Sequence, residues 1–182
     1  MIIALFLTSL ATLDSAPARV DSQSRVHRFA VEVGDGYDTS MWRVSAQRDW
    51  RRSPLGESAW AFAGHVEIAG GAWYGHSAVG ENRNLVDLGL TPVWRIEHTG
   101  WKAITPHAEA AVGFHYISET RINSRVGFGS AFQFGDHAGV GASFGEDRRY
   151  QMTFRFQHLS NGGIRHPNHG INFSQLRFAW VP

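Results

Sequence analysis

The segment Phe156-Gln157-His158-Leu159-Ser160-Asn161-Gly162-Gly163 sets an imidazole and a hydroxyl two residues apart. A histidine that takes the proton of a serine makes that oxygen a nucleophile, the first step of acyl transfer and ester hydrolysis. A third group that holds the other nitrogen fixes the tautomer and orientation that this needs. Asn172 is such a group, provided the chain folds back after Ser160. Two residues apart in a strand means one face and a Cα separation of roughly 7 Å, which lets the two side chains meet. A symmetric hairpin over 161–169 would put Asn172 opposite His158 and Gly170 opposite Ser160. The three side chains would then converge at one rim.

The face they share is unusual for polar groups. Along 150–160 the even-numbered residues are Tyr150, Met152, Phe154 and Phe156, then His158 and Ser160, while Arg155 and Gln157 are on the other side. Across 171–181 Asn172 shares its parity with Leu176, Phe178 and Trp180. Ser174 does too, and is read as packing. Polar groups ending an apolar row cost free energy unless they hydrogen-bond, so the placement calls for an explanation.

The elements that position these residues follow a period of two throughout. In 26–33 Phe29, Val31 and Val33 alternate with Arg28, Ala30 and Glu32. The alternation returns over 41–50, 60–70, 85–96, 103–117, 133–144, 150–160 and 171–181. That predicts an all-β chain of eight antiparallel strands, the smallest transmembrane β-barrel of the outer-membrane type. A soluble lipocalin-like barrel has the same period with its apolar side inward. Three features favour the membrane form. The polar face carries both signs of charge: Arg28, Glu32, Arg43, Glu67, Asp87, Arg95, Glu109, Arg155 and Arg177. The apolar face is aromatic near strand ends, at Trp42, Trp60, Trp94, Tyr116, Tyr150 and Trp180, as interfacial girdles are. The connections at 71–84 and 118–132 are long, whereas those at 97–102 and 145–149 are short.

Composition agrees. The chain has 182 residues, 20 glycines, 6 prolines and 13% aromatic residues. A net charge of +1 gives no electrostatic case for nucleic acid, and the absence of cysteine excludes disulfides and thiolate metal sites. The mean hydropathy of −0.24 does not argue against a membrane, because alternating strands average out. Residues 1–18 are expected to be a signal peptide. The apolar run Ile2 to Leu13 is too short to span a bilayer as a helix, and Ala16-Pro17-Ala18 follows as a cleavage pattern, although no Lys or Arg precedes the run. Residues 19–182 are then the barrel domain.

The run from Phe156 to Ile164, followed by Pro167-Asn168-His169-Gly170-Ile171-Asn172, resembles the signature of the lipid A 3-O-deacylase family. The resemblance is tight over about the last 30 residues and otherwise one of barrel pattern. It implies an enzyme of the bacterial outer membrane that removes the ester-linked 3-hydroxyacyl chain at the 3 position of lipid A in the outer leaflet. It makes Ser160 the nucleophile, His158 the general base, and Asn161, Gly162 and Asn168 the loop positions that shape the oxyanion site. The family's acid maps onto Asn172, which is not an acid. If Asn172 does not orient the histidine, Glu81 and Glu119 in the long connections are the first alternatives.

The implied partners are lipopolysaccharide and the surrounding lipid, with no cofactor. His166 and His169 read as loop histidines or, with Arg165, as contacts to lipid phosphate. A metal cluster with His158 is not expected, because no acidic residue is near them in the sequence. A non-enzymatic structural or adhesive barrel is the rival reading.

Overall fold

The computed structural model describes residues 27–50 and 52–182. The signal-peptide expectation for residues 1–18 lies outside the described residues. Alternation becomes eight long strands: β1 (His27–Gly36), β2 (Thr39–Asp49), β4 (Trp60–Gly75), β5 (Asn84–His98), β6 (Ile104–Ile117), β7 (Phe132–Phe144), β8 (Tyr150–Ser160) and β9 (Ile171–Trp180). A two-residue strand, β3 (Ser53–Pro54), was not expected; it extends the β2 edge along β4. Each long strand pairs antiparallel with its chain neighbours, and β1 pairs with both β2 and β9. The β2–β4 pairing closes the eight long strands into a barrel, which pairs the backbone groups along their edges. Among the described residues no helix is long and apolar enough to cross a membrane.

The parity read from the sequence holds. Phe154, Phe156 and Leu176 are exposed on the outside, with Phe178 and Trp180 beside them. Arg155, Gln157 and Arg177 are buried within. Inside the barrel, charges neutralise one another across the lumen. Arg43 bonds Glu32 and Asp87, each at 2.7 Å. Arg155 reaches Glu109 at 2.7 Å, Glu32 at 3.1 Å and Glu67 at 3.3 Å. Arg177 holds Glu67 at 2.7 Å, and Arg95 holds Glu109 at 2.6 Å. Such charges are tolerable in a low-dielectric interior only because each has a partner.

One expectation needs correction. The third long strand does not stop at Gly70 but runs to Gly75, so the connection after it shrinks to 76–83. At Gly71 the chain passes tightly against β2: a Cβ would fall 2.8 Å from the Arg43 Cα. The lumen is polar over only part of its height. Toward the ends of β8 and β9 where the site stands, Met41, Trp73, Leu85, Ile117, Leu159, Ile171 and Phe173 point inward and are buried. The 118–131 loop drops Ile122, Val126 and Phe128 onto them. Trp73 stacks edge-on against Phe173 at 5.0 Å and Phe128 at 6.5 Å. The polar stripe thus gives way to an apolar plug beneath the loops.

Candidate active site

The β8–β9 hairpin has the symmetric register its spacing implies. His158 is the cross-strand partner of Asn172 and Leu159 of Ile171. The side chains of His158, Ser160 and Asn172 all fall on the outward face, at the loop end of the barrel wall. His158 Nδ1 is 2.7 Å from Asn172 Oδ1. An amide oxygen can only accept, so Nδ1 carries the proton and donates it. The tautomer follows: Nε2 keeps its lone pair and is the basic atom. Gly170, at φ +66°, leaves room for that edge of the ring, since a Cβ there would lie 2.8 Å from His158 Cε1 and 3.4 Å from Nε2. The basic edge therefore points away from the membrane centre, at the level of Ser160. Ser160 is half-buried, opposite Phe134 of β7, and its Oγ makes no hydrogen bond among the described residues. Catalytic hydrogen bonds commonly close only when substrate arrives.

The loop 161–170 is built around Asn161. That side chain is buried and turned into the loop: Nδ2 donates to Arg165 O at 2.6 Å and Oδ1 accepts from Gly163 N at 3.0 Å. Its backbone N–H donates to Asn168 Oδ1 at 2.9 Å. Asn161 therefore shapes the loop from within. Asn168 is held through its oxygen, which leaves its amide nitrogen as a donor. Gly162 and Gly163 take the left-handed conformation, at φ +66° and +80°, that turns the chain directly after the serine.

A second loop braces the first. Gly127 N donates to His169 Nδ1 at 3.1 Å, and Phe128 bridges Asn168. At Gly129 the two backbones touch, since a Cβ would meet His166 O at 2.8 Å. His169 is thus tied to the 118–131 loop, whereas Arg165 and His166 are exposed. Glu81 and Glu119 both turn to Arg83, at 3.8 and 3.6 Å, and stand on the loops rather than at the histidine.

One residue that the motif does not include stands in this group. Asp136 of β7 is the other cross-strand partner of His158 and faces outward. Its parity matches Ala138, Val140 and Phe144, so alternation alone puts it on the lipid side, but only the register brings it to His158. Among the described residues no group of three His, Cys, Asp or Glu side chains is arranged to hold a metal.

A hydroxyl, an imidazole held at Nδ1 and a loop amide nitrogen thus stand at the loop end of one barrel wall, the groups that acyl transfer requires. Comparison with known proteins agrees. The family model described as lipid A 3-O-deacylase (PagL) matches residues 40–181. The lipid A deacylase PagL of Pseudomonas aeruginosa is 28% identical over 176 residues, covering 97% of this chain and 96% of that protein. The lipid A deacylase PagL of Bordetella bronchiseptica is 36% identical over 80 residues, 44% of this chain and 43% of that one. A crystal structure of the outer membrane enzyme PagL superposes with a TM-score of 0.73 at 26% identity, covering 85% of this chain and 99% of the other.

Proposed function

Because the chain belongs to the lipid A 3-O-deacylase family, and is an outer-membrane barrel, we propose that it hydrolyses the ester-linked 3-hydroxyacyl chain at the 3 position of lipid A in the outer leaflet, with Ser160 as nucleophile and His158 as general base. The observation that carries this reading is the hydrogen bond between His158 Nδ1 and Asn172 Oδ1, with Ser160 on the same lipid-facing wall.

His158 Nε2 takes the Ser160 proton as Oγ attacks the ester carbonyl carbon. The carbonyl oxygen gains the negative charge, and the Asn168 amide nitrogen with the Gly162 N–H are the donors for it. On collapse the bond to the sugar oxygen breaks, and that oxygen leaves as the alcohol with the proton from His158. The acyl group is then an ester of Ser160. Water, giving its proton to the same nitrogen, attacks this ester, and the 3-hydroxy fatty acid departs as Ser160 recovers its proton. An outward-facing site suits this substrate, since the ester bonds of lipid A lie at the boundary between acyl chains and headgroup, the depth at which the row of Met152, Phe154 and Phe156 ends in His158 and Ser160.

Mass spectrometry of lipid A from cells expressing the protein tests the reading. The wild type is expected to remove one 3-hydroxyacyl mass, and Ser160→Ala and His158→Ala to leave lipid A intact while remaining heat-modifiable folded barrels. Undiminished deacylation by either variant would take that residue out of the mechanism. Intact lipid A with the wild type would return the chain to a non-enzymatic role.

A further inference from the structure

Asn172 holds the imidazole but brings no charge. Proton transfer from Ser160 makes an imidazolium at the edge of the membrane, where a lone cation is poorly solvated. We propose that Asp136 supplies the missing negative charge: a positioning residue that acts through His158 from the flank opposite Asn172, an inference that rests on the Ser160–His158 mechanism above.

The register is the first argument. One level of the wall reads Val112, Asp136, His158 and Asn172 across β6, β7, β8 and β9, so the imidazole stands between a carboxylate and an amide. Directly opposed residues have Cβ atoms about 4.5–5.5 Å apart, so the carboxylate flanks the ring from β7, more than 4.0 Å from its nitrogens.

The surroundings of Asp136 are the second. On its own strand the outward neighbours are Phe134 and Ala138, and on β6 they are Ala110, Val112 and Phe114. Phe114, Phe132 and Phe134 pack together beside it, with Phe132 and Phe134 centred 5.1 Å apart. Among the described residues no cation lies within 4.0 Å of its carboxylate. In the strands the other outward acid is Asp35, which sits beside Ser174 and approaches His76 at 3.6 Å. A carboxylate on an aromatic, lipid-facing wall is expensive, and such residues persist where they have a function. The remaining charged or titratable groups of the neighbouring hairpin loop do not take this place: Arg165 and His166 are exposed on it, and His169 is bound to Gly127.

The third argument is timing. With His158 neutral and Nδ1 committed to Asn172, the resting site has no ion pair for Asp136 to make. The charge it would stabilise exists only while the proton is on Nε2. An interaction stronger in the transition state than in the ground state raises kcat and leaves substrate binding alone.

Steady-state kinetics on purified, detergent-refolded enzyme with lipid A decide the matter. Asp136→Asn is expected to lower kcat about fivefold or more with KM nearly unchanged, the size of one charge acting at a partly solvated boundary. Asp136→Glu should recover most of the loss. Asn172→Asp should rescue Asp136→Asn, because it returns a carboxylate to the other flank, and should add less when Asp136 is present. If Asp136→Asn does not yield a heat-modifiable barrel, Asp136→Ser carries the same comparison. An unchanged kcat, a raised KM at constant kcat, or no rescue by Asn172→Asp would each overturn the role of Asp136. Absence of deacylation by the wild type would instead overturn the proposed function itself.

Discussion

At His158 a hydrogen bond to Asn172 Oδ1 holds the Nδ1 edge of the ring, which leaves Nε2 as the nitrogen for the proposed base. Asn172 can fix that tautomer as well as a carboxylate does, but it brings no full negative charge to the imidazolium. Charge-assisted hydrogen bonds are roughly twice as strong as neutral ones, so Asn172→Asp is expected to keep or raise kcat at neutral pH. Asn172→Leu, which cannot accept, should lose activity by about tenfold or more as the ring loses its orienter. Kinetics on the refolded barrel separate the two, and a Leu variant as active as the wild type would show that position 172 does not orient the ring. This part of the site was legible in the sequence, because residues two apart share a face and the hairpin around 161–170 is symmetric. Asp136 was not legible in the same way. Its outward direction follows from parity, but its place beside His158 depends on the register across the 145–149 turn. That turn contains a one-turn 3-10 helix, Glu146–Arg148, that no alternation announces.

Among the elements, the 118–131 loop has the largest influence on the site without contributing a reacting group. Its apolar residues Ile122, Val126 and Phe128 sit on the plug, and its backbone at Gly127 to Gly129 holds the 161–170 loop. Deleting a buried Phe side chain costs about 3–5 kcal/mol where the surroundings cannot collapse. Phe128→Ala should spend that loss on the loop rather than the strands, since the ladders do not depend on it. The expected result is faster proteolysis within 161–170 and activity reduced by about tenfold, with an unchanged midpoint for unfolding of the barrel. A lowered midpoint with normal loop protection would show that Phe128 belongs to the barrel's stability instead. The plug was open to prediction in part: on β8 and β9 the inward row turns from Gln157 and Gln175 to Leu159, Phe173 and Ile171 toward the loops. What the pattern could not show is that a connection, 118–131, would supply the other half. Loop residues have no period to read.

For the whole barrel, the charges in the lumen are tolerated because they are paired with one another. Arg155 touches Glu109, Glu32 and Glu67, and each of these keeps a second cation in Arg95, Arg43 and Arg177. Replacing Arg155 by Met should therefore destabilise the barrel by about 3 kcal/mol, the lower end of the range for breaking a buried ion pair, since no acid is left wholly bare. Urea unfolding followed by the heat-modifiable shift would measure it, and activity per folded molecule should be unchanged because the network does not reach the outer wall. The same anatomy has a bearing on the cell that carries the protein. Ionic staples fill one part of the bore and Trp73, Phe128 and Phe173 close the part beneath the loops. A passage that offers an ion neither a hydrated path nor a continuous row of coordinating groups does not conduct. Single-channel recordings in planar bilayers should be silent, and a bacterium can then crowd its surface with this barrel without leaking solutes or admitting antibiotics through it.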